Sequence, residues 1–342
     1  MRVAVVTPYA VGGGVTEAFF TALEILRRAG AVPVAVVDAA ASFLPRLAGV
    51  ETVPVKGLGA GGDLNIWLAG RRLSKALRRA RVDRVLVHNG RYVKAARVGV
   101  PVVGVMHGGK ARRFLAADRL ITVNEDQRRD LIACGYKEQD IRLIPNALPL
   151  GAIPPFVPRA PGNPFRIGTL RLLLREKGVD VLVAAVGLLA AKGRAVELHV
   201  GGTGVEEEAL RHQVAGLGLG DLVYFHGWVD DQAGFLSGLD LYVMPSRYET
   251  FGIGILEAQA ASLPVIASAC EGPRAVIRDG ETGVLVPPDD APALAAAIEG
   301  LMDDAGRAGS LARAGHADCA ARHLLPAIAD DYAGWVMGAG RG

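Results

Sequence analysis

Six prolines, Pro149, Pro154, Pro155, Pro158, Pro161 and Pro164, stand close together near the middle of the chain. Proline has a fixed φ and no N–H, so such a stretch neither continues a helix nor pairs inside a sheet. It predicts a stiff, extended linker over residues 149–164. The linker divides 342 residues into two parts of ordinary domain size, each able to bury its own core. A hydrophobic fraction of 51% with 44 glycines suits compact α/β domains and excludes a disordered chain.

No apolar run approaches the ~18 residues of a membrane span. Met1-Arg2 leads directly into Val3-Ala4-Val5-Val6, too short for a signal peptide and readable as a first strand. Cys134, Cys270 and Cys319 are odd in number, widely spaced and free of any C-x-x-C. They suit a reducing cytosol and argue against a zinc site or a disulfide framework. A cytoplasmic protein is expected, with a second option of peripheral attachment to the inner face of the cytoplasmic membrane.

Charge is unevenly spread. Residues 1–153 hold 23 Lys and Arg against 12 Asp and Glu, a net of +11; the remainder holds 15 against 23, a net of −8. Between Arg71 and Arg119 there are 14 cations and only Asp83 and Asp118 to oppose them. This excess fits an anionic partner, whether phospholipid, a phosphorylated glycan or nucleic acid, or equally a solvated Arg-rich face.

The first part opens as a β–loop–α–β unit, the start of a doubly wound domain. Residues 3–7 form a strand, Gly12-Gly13-Gly14 a loop, and residues 17–28 a helix capped by Thr16, with Gly30 ending it. The glycine loop lacks the G-x-G-x-x-G spacing of a dinucleotide site, although Asp38 follows the second strand. It also reads as a simple turn. Asp63 is placed to cap a helix ending before Val82, with Leu64, Trp67, Leu68, Leu73 and Leu77 as its apolar positions. The basic later half of that helix suits an anionic bilayer or an ordinary charged outer face. Two strands end in histidines, at His88 and His107, where open α/β sheets bind ligands.

The second part is centred on residues 244–288. Leu239, Leu241, Val243 and Met244 form a strand stopping at Pro245-Ser246. Thr250 can cap a helix whose first turn is Phe251-Gly252-Ile253 and whose face carries Ile253, Leu256 and Ala260. Pro264-Val265-Ile266-Ala267 is the next buried strand. Free N–H groups at the helix start suit an anion. Glu249 and Glu257 bracket that start with seven residues between them. Two acids beside an anion site fit a ligand that also offers hydroxyls, as sugars and ribose do.

Glu, seven residues and Glu, then Pro-Val-Ile-Ala and residues 279–287, resemble the retaining glycosyltransferases of family 4. Glu176-Lys177-Gly178, the loop Gly201-Gly202-Thr203-Gly204 and Ile144-Pro145-Asn146-Ala147 extend the resemblance. It implies an α/β chain of GT-B fold, two Rossmann-like doubly wound domains facing each other across a cleft. Residues 1–148 would form the acceptor-side domain, 165–322 the nucleotide-sugar domain, and 323–342 a closing helix that crosses back, read as starting near Arg322. The substrate would be a nucleotide diphosphate sugar, and the acceptor a glycan or glycolipid hydroxyl, with lipopolysaccharide or another envelope glycan as the product. By the same resemblance Lys177 grips the diphosphate. Arg171 does so only if it replaces the family arginine, whose aligned position here is Leu172; Arg175 and Arg247 are the other options. Glu249, with the N–H groups of Phe251, Gly252 and Ile253, would hold the donor sugar, and His107 would hydrogen-bond it. Glu257 would bind ribose, Gly13 and Gly14 would lie near the diphosphate or acceptor, and Gly202 with Gly227, Trp228 and Val229 would cradle the base. No cofactor or metal is implied, and no nucleic-acid-binding motif is present. An epimerase on the same fold and a non-catalytic binder of anionic surfaces remain the alternatives.

Overall fold

The computed structural model describes residues 1–10, 13–148 and 153–338. The chain forms two compact units, Met1–Leu150 with His323–Gly342, and Gly151–Arg322.

The first unit is built on seven strands: β1 (Arg2–Val6), β2 (Val32–Asp38), β3 (Glu51–Val55), β4 (Arg84–Val87), β5 (Val102–Met106), β6 (Arg119–Thr122) and β7 (Ile141–Leu143). All pair in parallel, in the order β3-β2-β1-β4-β5-β6-β7. Parallel strands are covered on both faces, which is why they read as unbroken apolar runs. Side chains alternate across the sheet. Val3 and Val5 therefore join one core with Phe19 and Leu26 of helix α1 (Gly14–Arg28), while Ala4 and Val6 join another with Leu73 and Leu77 of α2 (Asp63–Ala80). Two shorter helices, α3 (Val93–Ala96) and α4 (Glu125–Ala133), complete the second face.

Three helix expectations need correction, the first at the start of α2, which has Gly62 as its N-cap residue, so Asp63 is its first residue and does not cap it. Helix α1 begins at Gly14 with Gly13 as its N-cap residue, so Thr16 sits inside the first turn rather than capping it. In α2, Leu64 and Trp67 are 69% and 55% exposed. The buried stripe is Ala69, Gly70, Leu73 and Leu77; positions 64, 67 and 71 follow each other along the opposite side at helical spacing.

The second unit repeats the plan with β8 (Phe165–Leu170), β9 (Val196–Gly201), β10 (Val223–Gly227), β11 (Leu241–Met244), β12 (Val265–Ser268) and β13 (Val284–Val286). The order is β10-β9-β8-β11-β12-β13, again parallel. Its helices are α5 (Val179–Ala191), α6 (Glu207–Gly216), α7 (Gln232–Ser237), α8 (Ile253–Ala260), α9 (Glu271–Val276), α10 (Ala291–Asp303) and α11 (Ala305–Arg322). Helix α8 starts at Ile253 with Gly252 as its N-cap residue, not at Thr250. Its buried face is Ile255, Leu256, Ala258 and Gln259, so Ile253 and Ala260 lie at the margin.

The proline-rich segment packs against the second unit. Pro149 lies outside the described residues, but residues 153–164 are strapped onto the second unit. Arg159 donates to the carbonyls of Ser237, Leu239 and Ala261 (2.6–3.2 Å), and Phe156 packs edge-on against His316. The closing helix, α12 (Leu325–Met337), starts later than Arg322, which is the last residue of α11 and is paired with Asp318. Leu325, Ile328, Tyr332 and Val336 of α12 complete the core beneath α1.

Leu26 lies fully buried in that core. Leu26→Ala is expected to lower the unfolding free energy by about 2–5 kcal/mol, read from urea denaturation followed by tryptophan fluorescence. A shift below 1 kcal/mol would mean that α1 packs less tightly than described.

Candidate active site

Each sheet reverses its strand order once, between β1 and β4 and between β8 and β11. Helices leave to opposite faces at such a point, so a crevice opens beyond the carboxyl ends of the strands, and ligands bind there.

In the second unit the chain places three charged side chains at that point. Beyond β8, Arg171 keeps its N–H on the Gly201 carbonyl (2.9 Å) and turns its side chain inward, to 4% exposure. Leu172 points outward. Arg171 Nη2 and Lys177 Nζ both donate to Glu249 Oε2, at 3.2 and 3.1 Å, while Glu249 Oε1 accepts from the Thr250 N–H at 3.1 Å. Nε and Nη1 of Arg171 are buried and bond no described protein group. Two cations against one carboxylate, with unfilled guanidinium donors, make a site for an anion.

Lys177 is held by its backbone. Gly178 has φ 67°, and a Cβ there would lie 2.0 Å from the Pro245 carbonyl oxygen, so only glycine fits between the turn and the end of β11. The N–H groups of Arg247 and Tyr248 both bond Glu176 O. The Arg247 side chain then clamps the turn, with Nη1 and Nη2 on the Asp180 carboxylate (2.7 and 2.6 Å), Nη1 also on Arg175 O, and Nε on Asp289. Of the three arginines that could stand at the diphosphate, Arg171 alone pairs with Glu249. Arg247 is committed to Asp180 and Asp289, and Arg175 is exposed.

Helix α8 begins without a side-chain cap on its first N–H groups. Phe251 is buried against the start of α9, where a Cβ on Gly272 would meet its backbone N at 2.4 Å. Glu257 is half-buried one turn further on. Tyr242, on β11, lies beneath this corner. Its phenol is pushed up to about 12, first by burial, with Glu257 and Glu249 adding to the rise and Arg171 opposing it. The Tyr242 hydroxyl donates to Leu170 O (3.4 Å) and occupies the space of a side chain at Gly254, whose Cβ would come within 2.5 Å of it. The sequence carried one hint of this pair, a glycine inside a helix.

Gly202, at φ 120°, lets its loop press against the Arg171 backbone, where a Cβ would stand 1.8 Å from the carbonyl oxygen. Its N–H bonds Gly227 O at 2.6 Å. Trp228 follows, half-exposed, with Nε1 on Asp230, and Val229 packs beside Gly201.

In the first unit, His107 and His88 come together. His88 Nδ1 and His107 Nε2 are 2.8 Å apart, with the ring planes 13° from parallel. Gly13 and Gly14 open α1, and Gly12 lies outside the described residues. Arg112 and Arg113 lie exposed in the turn after β5. The basic stretch is partly used internally: Arg72 donates to Lys56 O, Arg97 to Ala116 O and Asp118, and Arg119 to Trp335 O while stacking on that ring. Arg71, Lys75, Arg78 and Arg79 line a shallow groove along α2. Among the described residues no cluster of His, Cys, Asp or Glu is arranged to hold a metal, and no helix is long and apolar enough to cross a membrane.

Residues 12–151 match the profile described as Glycosyltransferase Family 4, and residues 165–304 that of Glycosyl transferases group 1. The phosphatidyl-myo-inositol mannosyltransferase of Mycolicibacterium smegmatis is 31% identical over 92% of this chain and 88% of its own length. The chain belongs to glycosyltransferase family 4. This glycosyltransferase is also 34% identical to the lipopolysaccharide core biosynthesis glycosyltransferase LpsE of Rhizobium meliloti, a match that spans only 58% of each protein. Among solved structures, Anabaena HepE in complex with UDP and glucose superposes with a TM-score of 0.81 at 18% identity, over 97% of this chain and 98% of that one. Sucrose-phosphate synthase from Thermosynechococcus elongatus gives 0.81 at 22%, over 99% and 97%. These likenesses establish the fold, two Rossmann-like domains of the GT-B class.

The Asp180–Arg247 clamp makes the glycosyltransferase's Lys177 turn sensitive to acid. Burial raises the Asp180 carboxyl, but its bonds to Arg247 outweigh that and hold it below its ordinary value of 3.8. A carboxylate depressed by folding contributes stability above its unfolded value and loses it as pH falls through the folded one. Asp180→Asn should therefore melt below wild type at pH 7, and the two melting curves should converge as pH drops below 3.8. Equal melting temperatures at pH 7 would show that the clamp contributes nothing.

Proposed function

We propose that this glycosyltransferase moves a hexose from a nucleoside diphosphate sugar to a hydroxyl of a glycan or glycolipid, with retention at the anomeric carbon. One observation carries the reading: the buried Arg171 guanidinium, with two unfilled donors, converges with Lys177 on Glu249 at the strand-order reversal of the second unit. A diphosphate entering there competes with Glu249 for both cations, and the released carboxylate oxygen can accept hydroxyl groups of the donor sugar. Glu257 takes the ribose hydroxyls, and the turn Gly227-Trp228-Val229 takes the base. By the resemblance, His107 takes a hydroxyl of the sugar, and Gly13 and Gly14 lie near the diphosphate or the acceptor.

As the bond from anomeric carbon to phosphate oxygen breaks, its electron pair passes to the phosphate. Lys177, Arg171 and the open N-terminus of α8 meet that charge, which is where preorganised electrostatics acts most strongly. Because two cations and a helix start already converge there, we read the reaction as metal-independent. The acceptor oxygen forms its new bond on the face the phosphate leaves, and its proton passes to a departing phosphate oxygen. The name of LpsE favours a lipopolysaccharide or related envelope glycan as product, and the HepE complex favours a uridine nucleotide among the donors to try first.

Lys177→Ala is expected to reduce kcat about 10²–10³-fold, and Glu257→Ala to raise the donor KM about tenfold. Wild-type kinetics in both would remove the assignment. The donor itself is found by thermal shift with UDP, GDP and ADP, since a ligand of the native state raises its melting temperature. An epimerase would instead convert the nucleotide sugar with no acceptor present.

Exposed Leu64 and Trp67, on the same helix as Arg71, Lys75, Arg78 and Arg79, favour a second element of the proposal. Helix α2 would lay this surface on an anionic bilayer at the cytoplasmic face, bringing the enzyme to a glycolipid acceptor. The wild-type protein should co-sediment with phosphatidylglycerol vesicles at low salt, and Trp67→Ser with Arg78→Ser should abolish this. Failure of the wild type to sediment would end the membrane reading and leave the transferase reading untouched.

A further inference from the structure

His88 and His107 follow neighbouring strands, β4 and β5, at the carboxyl edge of the first sheet. Their rings lie 13° from parallel with centroids 5.0 Å apart, and the 2.8 Å contact joins His88 Nδ1 to His107 Nε2. Both rings are almost wholly buried. Burial lowers the pKa of His107 to about 4, and that of His88 falls well below the usual imidazole value, through burial first and repulsion from His107 second. Near neutral pH each ring is uncharged and carries one N–H.

A single proton lies between the facing nitrogens, which leaves two arrangements. If His107 Nε2–H donates, His88 must carry its own proton on Nε2. If His88 Nδ1–H donates, His88 Nε2 is bare and the His107 proton sits on Nδ1. His88 Nε2 is buried and bonds no described protein group, and the Phe19 ring lies 80° from the imidazole plane with centroids 6.2 Å apart. The first arrangement buries an N–H donor there; the second buries only an acceptor. Orphaned buried N–H groups are the rarer and costlier defect.

We infer that His88 is a positioning residue that locks His107 in its Nδ1–H form, so that His107 offers a hydrogen-bond donor, and not a base, to an oxygen of the bound sugar. The bond from one ring nitrogen decides what the other presents. Free imidazole side chains favour the Nε2–H form, so two neighbouring Nδ1–H rings are a distinctive state. The role toward the sugar rests on the function proposed above; the tautomer does not.

The test separates the two. Long-range 1H–15N correlation spectra of the ¹⁵N-labelled full chain at pH 7, with no substrate added, should show both rings protonated on Nδ1 and bare on Nε2. A His107 resonance pattern with Nε2–H overturns the inference, whether or not the protein transfers sugar. In His88→Phe the His107 ring should revert to Nε2–H. In His88→Asn, which keeps an N–H donor near the position of Nδ1, it should stay Nδ1–H. Kinetics then read the consequence: His88→Phe should weaken kcat/KM about tenfold at unchanged melting temperature, with His88→Asn recovering most of the loss. Equal loss in both variants, or wild-type kcat/KM in His88→Phe, overturns the positioning role.

Discussion

A guanidinium carried out of water is costly unless an anion or other acceptors answer it. Arg171 is 4% exposed, and Glu249 answers it. Desolvating both groups offsets much of their attraction, so the pair adds little net stability; removing one partner alone is the damaging change, at about 3–5 kcal/mol for buried pairs in general. Its value lies in geometry. Glu249 cannot leave Arg171 without leaving a buried cation unpaired, unless another anion takes its place. Lys177 adds a second reason for that anion to come.

The fold brings these groups together through backbone contacts, not through long side chains. Gly178 seats the Lys177 turn on Pro245, Gly202 seats its loop on Arg171, and Gly272 seats α9 on Phe251. Each contact lies at the carboxyl ends of the strands and is closer than any Cβ would allow. Tyr242 joins the two sides from below: its hydroxyl bonds the carbonyl that ends β8 and fills the space left by Gly254 in α8. Strand end, turn and helix start are thereby fixed relative to one another within a single domain, which suits a site whose chemistry depends on a few tenths of an ångström.

Much of this was legible in the sequence, because its signals are local. Apolar runs buried on both faces read as parallel strands, Glu249 and Glu257 stood out by spacing, and Lys177 by the resemblance of its Lys-Gly turn to the family's. What failed to read depended on contacts between elements. Whether Arg171 or Leu172 turns inward is decided by the bond of Arg171 N to Gly201 O, a partner thirty residues away. Helix α11 was missed because its Ala- and Gly-rich sequence carries no strong apolar stripe. Leu64 and Trp67 look like core residues by composition, yet their spacing puts them on the stripe opposite Leu73 and Leu77. His88 and His107 were each visible as a strand-end histidine, but their pairing follows only from the adjacency of β4 and β5.

The two units differ in what they bring to their strand-order reversals. The second brings charge: two cations, two acids and a helix start. The first, despite carrying most of the chain's excess arginine, has at the ends of β4 and β5 a pair of buried imidazoles that burial keeps neutral. A charged histidine there would add to an already cationic surface and would attract phosphate without discriminating among its bearers. A neutral ring with one fixed N–H has little pull at a distance and acts only on an oxygen at the right place and angle. In the proposed reaction this separates two tasks. Charge neutralisation would set how tightly the diphosphate is held, and the directional bond from the histidine, if His107 acts as proposed, would help decide which sugar orientation is accepted. Combining both in one charged group would make affinity and selectivity rise and fall together with salt; keeping the histidines uncharged lets the selective contact persist where screening weakens the electrostatic one.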